Sequence, residues 1–204
     1  MRSNPCLGLT THSAAPRRAA IVLNQSVTMP QRQLIIITGS SGVGKSSVAK
    51  ALQEQLLPEQ WLHLSVDTIF YCLPGSVVQK VDQQNNHDAV DSKAIVAAAY
   101  ACANSLLRLG HRVVFDAVIL SEVGAQQLLR AFEGCERMIV TLTCPWEEIE
   151  RRTRARGDRT LAEAEHGYRS TYSNLIADYS VDTATASPEQ IAVQIATAIR
   201  GDVG

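Results

Sequence analysis

The stretch QLIIITGSSGVGKSSVAKAL, residues 33–52, constrains this chain more than any other. Residues 33–38 form a continuous apolar run of the kind buried on both faces of a parallel sheet, so the reading starts with a strand. Gly39, Gly42 and Gly44 come next, then Lys45 and Ser46, satisfying G-x-x-x-x-G-K-[ST] between a strand and a helix. Glycines let the backbone curl until its N–H groups point inward at phosphate oxygens, and the following helix N-terminus adds a favourable dipole. The candidate phosphate-binding residues are Gly39, Ser40, Ser41, Gly42, Val43, Gly44, Lys45, Ser46 and Ser47. Lys45 is expected at the β and γ phosphates and Ser46 on Mg²⁺. The competing reading is a glycine turn followed by a surface lysine, and it requires motif and setting to coincide by chance.

The remaining pattern alternates helix and strand. A helix over 44–57 stops before Pro58, and a strand over 61–66 leads to Asp67. Residues 68–90 read as a short helix, a Pro-Gly turn and a polar loop. A helix over 91–109 closes at Gly110. A strand over 112–116 precedes a helix over 121–132, a strand over 137–143 and a charged helix over 145–156. A helix over 161–176, a strand over 178–182 and a helix over 188–200 complete the chain, the last with Ser187 as N-cap and Pro188 in its first turn. The expectation is an α/β fold, a parallel sheet of about five strands with helices on both faces. Residues 1–29 mix Ser, Thr, Pro, Ala and Arg without period and read as a flexible tail ahead of one domain, 30–204.

Composition narrows the function. With 46% apolar residues among 204, the chain can bury a full core. Nineteen basic against twenty acidic residues leave a net charge of -1, which argues against a broad footprint on nucleic acid or an anionic membrane. Cys6, Cys72, Cys102, Cys135 and Cys144 are odd in number and lack C-x-x-C spacing, so a reducing cytoplasm fits best. No apolar run is long enough to span a bilayer, and Arg17 and Arg18 ahead of AAIVLNQSV are followed by no cleavage site of the secretory kind.

Three further features bear on chemistry. The strand RVVFD ends in Asp116, where a carboxylate can meet magnesium or its water shell, although an ordinary turn aspartate reads the same way. Asp67 leaves the second strand on the edge where ligands bind in such sheets and can serve as general base for an acceptor hydroxyl; alternatively it caps a helix starting at Thr68. In ERRTRARGDRT, residues 150–160, Arg152, Arg156 and Arg159 share a helical face while Arg151 and Arg154 diverge. Facing a cleft, Arg152 and Arg156 would stabilise the transferring phosphoryl group, and Arg156 and Arg159 would grip the nucleotide. Facing solvent, the arginines would pair with Glu147, Glu148 and Glu150. No D-x-x-G or N-K-x-D occurs, so ATP is favoured over a guanine nucleotide. His63, His87 and His111 lack ligand spacing and read as surface or strand histidines, and Cys72 as a small buried hydrophobe.

These residues resemble the chloramphenicol phosphotransferase-like small-molecule kinases. The likeness runs through GSSGVGKSSVAKALQEQLLPEQWLHLSVDTIFYCLP (39–74), GHRVVFDAVIL, RARGDR (154–159) and YSVDTATASPEQIA, about residues 33–200 in all. The Leu-Pro-Glu-x-Trp stretch is far more specific than the phosphate loop. The resemblance implies a P-loop, nucleotide-kinase-like fold with a small arginine-rich lid over 152–159. It implies ATP and magnesium on Lys45 and Ser46, and Asp67 as the base that removes a proton from the acceptor hydroxyl. The family often shows two acids in succession after the third strand, whereas Ala117 follows Asp116 here. Residues 75–95, which should line the acceptor pocket, are shorter and differently composed than in the chloramphenicol enzymes. Three readings follow: an ATP-dependent O-phosphotransferase acting on a small alcohol, an antibiotic such as chloramphenicol included; a metabolic or nucleotide kinase of the same fold; and a regulatory module that binds ATP without transfer.

Overall fold

The computed structural model describes residues 32–84, 87–156, 160–171 and 175–201. The expected tail, 1–29, and Arg159 of the expected lid lie outside these residues.

Five parallel strands form one sheet: β1 (Leu34–Thr38), β2 (Trp61–Ser65), β3 (Arg112–Ala117), β4 (Arg137–Thr143) and β5 (Tyr179–Asp182), in the order β2-β3-β1-β4-β5. Burial follows this order. Every residue of central β1 is buried, whereas the edge strands β2 and β5 bury only part of their length. A strand flanked on both sides and covered on both faces is apolar along most of its length, which is why Leu34 to Ile37 read as an unbroken run before Thr38.

Helices α1 (Lys45–Gln55) and α8 (Pro188–Gly201) cover one face, where Val48, Ala49, Leu52, Ile191 and Ile195 pack on Ile35, Ile37, Val114 and Val140. The other face is covered by α4 (Ser92–Arg108) and α5 (Glu122–Ala131), with Ala99, Ala103 and Leu128 on Leu34, Ile36 and Phe115. Phe115 and Phe132 are fully buried, 5.5 Å apart, and each stabilises the fold by about 1.5–3 kcal/mol through burial. Local chemistry sets the helix ends. Gly110, at φ 86°, closes α4 with bonds from its own N–H to Leu107 O and from His111 N to Leu106 O. Ser187 and Gln190 exchange reciprocal bonds at the start of α8.

Two expectations are corrected. The Pro-Gly pair at 74–75 opens a helix instead of making a turn: after α2 (Val66–Phe70), α3 runs Gly75–Gln84, with Pro74 O accepting from Val77 N and Val78 N. Proline loses nothing at a helix start, where its missing N–H would be unpaired anyway. The helix expected over 161–176 ends early, as α7 (Leu161–Arg169). Thr171 Oγ1 donates to Gly167 O at 2.8 Å, an alternative partner that Ser and Thr side chains offer the backbone at helix ends. The remaining helix, α6, spans Trp146–Arg156.

Candidate active site

Sheet register brings the sequence-predicted residues to one edge. Ser65 of β2 lies level with Asp116 of β3, and Asp116 level with Ile37 of β1. Two residues beyond these levels stand Asp67, Val118 and Gly39. All three leave the sheet at its carboxyl end, where ligands bind in open α/β sheets.

The loop from Gly39 to Gly44 has a shape that only glycine permits at its ends. A Cβ on Gly39, at φ +145°, would sit 2.4 Å from Leu142 O, so this loop lies directly on the backbone of β4. Gly44, at φ 104°, is the N-cap of α1; no side chain caps that helix and no acidic residue occupies its first turn. A helix start with neither a capping side chain nor an acid in its first turn favours an anion there. Lys45 is buried, and its Nζ donates to Gly39 O at 3.1 Å and to Ser40 O at 3.0 Å, spanning the loop's mouth. Gly167 of α7 approaches from above, where a Cβ would meet Ser41 Cβ at 3.5 Å.

Ser46 Oγ donates to Asp116 Oδ2 at 3.1 Å, joining the two residues expected at a metal. The same oxygen accepts from His63 Nε2 at 2.7 Å. Sequence reasoning missed His63 as a site residue. Parity in WLHLSVD was the available signal, since His63 and Ser65 share a strand face, but parity does not say which strand lies alongside.

Asp67 is the second residue of α2 and is exposed. It is not the helix cap: Ser65 Oγ accepts from Thr68 N while Thr68 Oγ1 accepts from Ser65 N, both at 3.1 Å. Cys72, two residues past the end of α2, is exposed instead of buried; its Sγ donates to Thr68 O.

The arginines divide. Arg151 and Arg154 pair with Glu148 and Glu150 on the exposed side of α6. Arg152 turns inward. Its Nη1 donates to Val43 O at 3.3 Å and Thr183 Oγ1 at 3.1 Å, its Nη2 to Thr183 O at 2.7 Å, and its Nε to Glu148 Oε1 at 2.8 Å. Thr183 Oγ1 in turn donates to Val43 O at 2.9 Å. This guanidinium therefore ties the phosphate loop to the segment after β5, in place of the cleft-facing contact expected of it. The hydrogen bonds from Arg151, then those from Arg152, hold the Glu148 carboxyl down at about 2. Of Arg156, only the backbone at the end of α6 is described.

Three comparisons bear on this arrangement. A Mycobacterium tuberculosis (strain H37Rv) protein whose name proposes O-phosphotransferase activity is 28% identical over 190 residues, covering 84% of each chain. A gluconokinase from Sinorhizobium meliloti has the same fold, with a TM-score of 0.61 at 18% identity over 86% of this chain and 95% of that one. The APS kinase of Mycobacterium tuberculosis in complex with AMPPNP and APS gives a TM-score of 0.60 at 19% identity, over 82% and 96%. The fold is thus that of the P-loop kinases. Residues 32–200 match the profile described as chloramphenicol phosphotransferase-like protein, and with the phosphate loop, Asp67 and Asp116 gathered at one sheet edge, the chain belongs to that family of phosphotransferases.

Proposed function

We propose that the chain transfers the γ-phosphate of ATP to a hydroxyl of a neutral, largely apolar small molecule. The carrying observation is the convergence at one edge of the phosphate loop, the Ser46–Asp116 pair and, one strand beyond, Asp67. β1 and β2 are separated by β3 alone, which puts the loop and Asp67 roughly 10 Å apart across the sheet. That spacing leaves room for a phosphoryl group and an attacking oxygen between them.

The residues fit a magnesium ion that arrives with its nucleotide. One hydroxyl and one carboxylate converge, and among the described residues no group of three or more His, Cys, Asp or Glu could hold an ion unaided. Magnesium is bound in this way, by few protein oxygens together with phosphates and water. When bound it neutralises phosphate charge; Ser46 would hold it and Asp116 would order its water. The N–H groups of residues 40–47 would cradle the phosphates, with the Lys45 ammonium beside them. Asp67 would accept the hydroxyl proton as the acceptor oxygen bonds to phosphorus and ADP leaves, a contribution of roughly 10²–10⁴ in rate. Arg156 and Arg159 would cover the nucleotide. Arg152 would be a positioning residue.

Acceptor character is read from the flanking segments. Residues 66–78 and 117–121 contain no lysine or arginine, the cations of 75–95 being Lys80 and Lys93 farther along, and Tyr71, Val118 and Leu120 stand exposed there. Such walls suit an uncharged alcohol, an antibiotic such as chloramphenicol included, better than an anionic metabolite. No described helix is long and apolar enough to cross a membrane, and the cytoplasm, which supplies ATP, is the proposed location.

The test uses labelled ATP with a panel of neutral alcohols, chloramphenicol among them, and of anionic sugar acids and nucleotides. Transfer to the neutral set is expected, and Asp67→Asn should lower kcat at least 100-fold with ATP affinity within twofold of wild type. Wild-type turnover in Asp67→Asn would remove the base assignment. Transfer only to anionic metabolites would overturn the acceptor class.

A further inference from the structure

We propose that His63 is a positioning residue for magnesium, pinning the Asp116 carboxylate in the orientation from which it can order metal-bound water. The inference rests on the reading of Asp116 and Ser46 as the metal-facing pair. An ionised carboxylate only accepts hydrogen bonds, so His63 Nε2 and Ser46 Oγ must both be donors to it. Both use Oδ2, at 2.7 and 3.1 Å. Two donors from separate elements, β2 and α1, fix that oxygen and leave Oδ1 as the one with lone pairs to spare among the described residues.

His63 reaches Asp116 because it sits on the sheet face shared by Ser65, which is level with Asp116 on the neighbouring strand. Their side chains are 16% and 6% exposed, so the hydrogen bond lies where water competes little for either group. Ala117, next along β3, carries no carboxylate and is buried in the opposite core with Phe115. No second acid at that position can share the task of orienting water, and one carboxylate must do so from a fixed place. A single aspartate side chain has two soft torsions, and a second donor on the same oxygen restricts the freedom that an isolated Ser46 bond would leave. Ser46 can ligate a metal through an oxygen lone pair while its hydrogen stays on Oδ2, so the His63 bond need not break when the ion arrives.

The experiment compares His63→Leu, which removes the donor, with His63→Gln, whose amide N–H can occupy the place of Nε2. Mn²⁺ binding is followed by electron paramagnetic resonance with saturating ADP, and ADP binding is measured separately in EDTA. His63→Leu should weaken Mn²⁺ by ten- to a hundredfold, the usual effect of losing a partner that orients a metal-site group. It should leave ADP binding in EDTA within twofold, and His63→Gln should restore Mn²⁺ affinity to within about threefold of wild type. A loss of general packing would lower both affinities and would not be rescued by Gln, and that result overturns the proposal. Wild-type Mn²⁺ affinity in His63→Leu, with Asp116→Asn impaired, also overturns it while leaving the metal reading intact. Wild-type affinity in Asp116→Asn removes the metal reading itself. Should His63→Leu not fold, the His63 ring resonances of the wild type decide: they must shift when Mg²⁺ is added to the ADP complex, and their constancy refutes the role.

Discussion

Replacing Arg152 separates two kinds of arginine. A side chain that touches the transferring phosphoryl group contributes 10³–10⁵ in rate and little to stability. Arg152 instead spends its donors within the protein, so Arg152→Ala should act first on the fold. The shortest bond, to Thr183 O at 2.7 Å, is charge-assisted and worth about 1.5–3 kcal/mol. Its 3.3 Å bond to Val43 O is partly replaceable, because Thr183 Oγ1 also donates there. The Glu148 pair is partly exposed, and water and salt screen it, so it adds little. The loss is roughly 2–4 kcal/mol, or about 4–15 °C in Tm for a domain of this size. Because Val43 belongs to the phosphate loop, ATP affinity should fall severalfold as well. Thermal unfolding with and without ATP, together with steady-state kinetics, reads all three. A variant with wild-type Tm and ATP affinity but a thousandfold lower kcat would refute the strut and restore a catalytic role.

Two other outcomes follow from the same geometry. Gly39→Ala must place its Cβ against Leu142 O in a backbone region that L side chains rarely adopt, so a loss of about 2–5 kcal/mol in urea unfolding, with nucleotide binding abolished, is expected; an unchanged midpoint would contradict the close approach of loop and β4. The Glu148 carboxyl is lowered in the fold from 4.5 to about 2, so the stability it lends is complete above pH 4.5 and disappears as pH falls to 2. Melting temperatures of wild type and Glu148→Gln should therefore converge across that window, and a gap that widens on acidification would mean the carboxylate is not held by Arg151 and Arg152.

Much of the architecture was legible because it rests on local rules. Leu34 to Ile37 are all apolar because they lie in the central strand, and Gly110 stops α4 because it adopts φ 86°. The glycine-rich loop was readable as a tight turn for the same reason: Gly39, Gly42 and Gly44, with Lys45, fall within seven consecutive residues, and all three glycines adopt positive φ. The end of α7 and the start of α3 were misread where side-chain competition for backbone groups and a proline at a helix start outweighed the hydrophobic period. The arginine segment showed its helical faces but not which face met the protein.

The amino-acid order alone decided that this chain would alternate strand and helix with a glycine-rich loop after its first strand, since periodicity and glycine conformations involve neighbours along the chain. Strand order decided the rest. Only the β2-β3-β1 arrangement sets His63 and Ser46, 17 positions apart, on one carboxylate oxygen of Asp116, and only the packing of α6 against the loop sends Arg152 to Val43 and Thr183. Hydrogen bonds reach about 3 Å, so contacts between residues tens of positions apart exist only once the sheet has assembled.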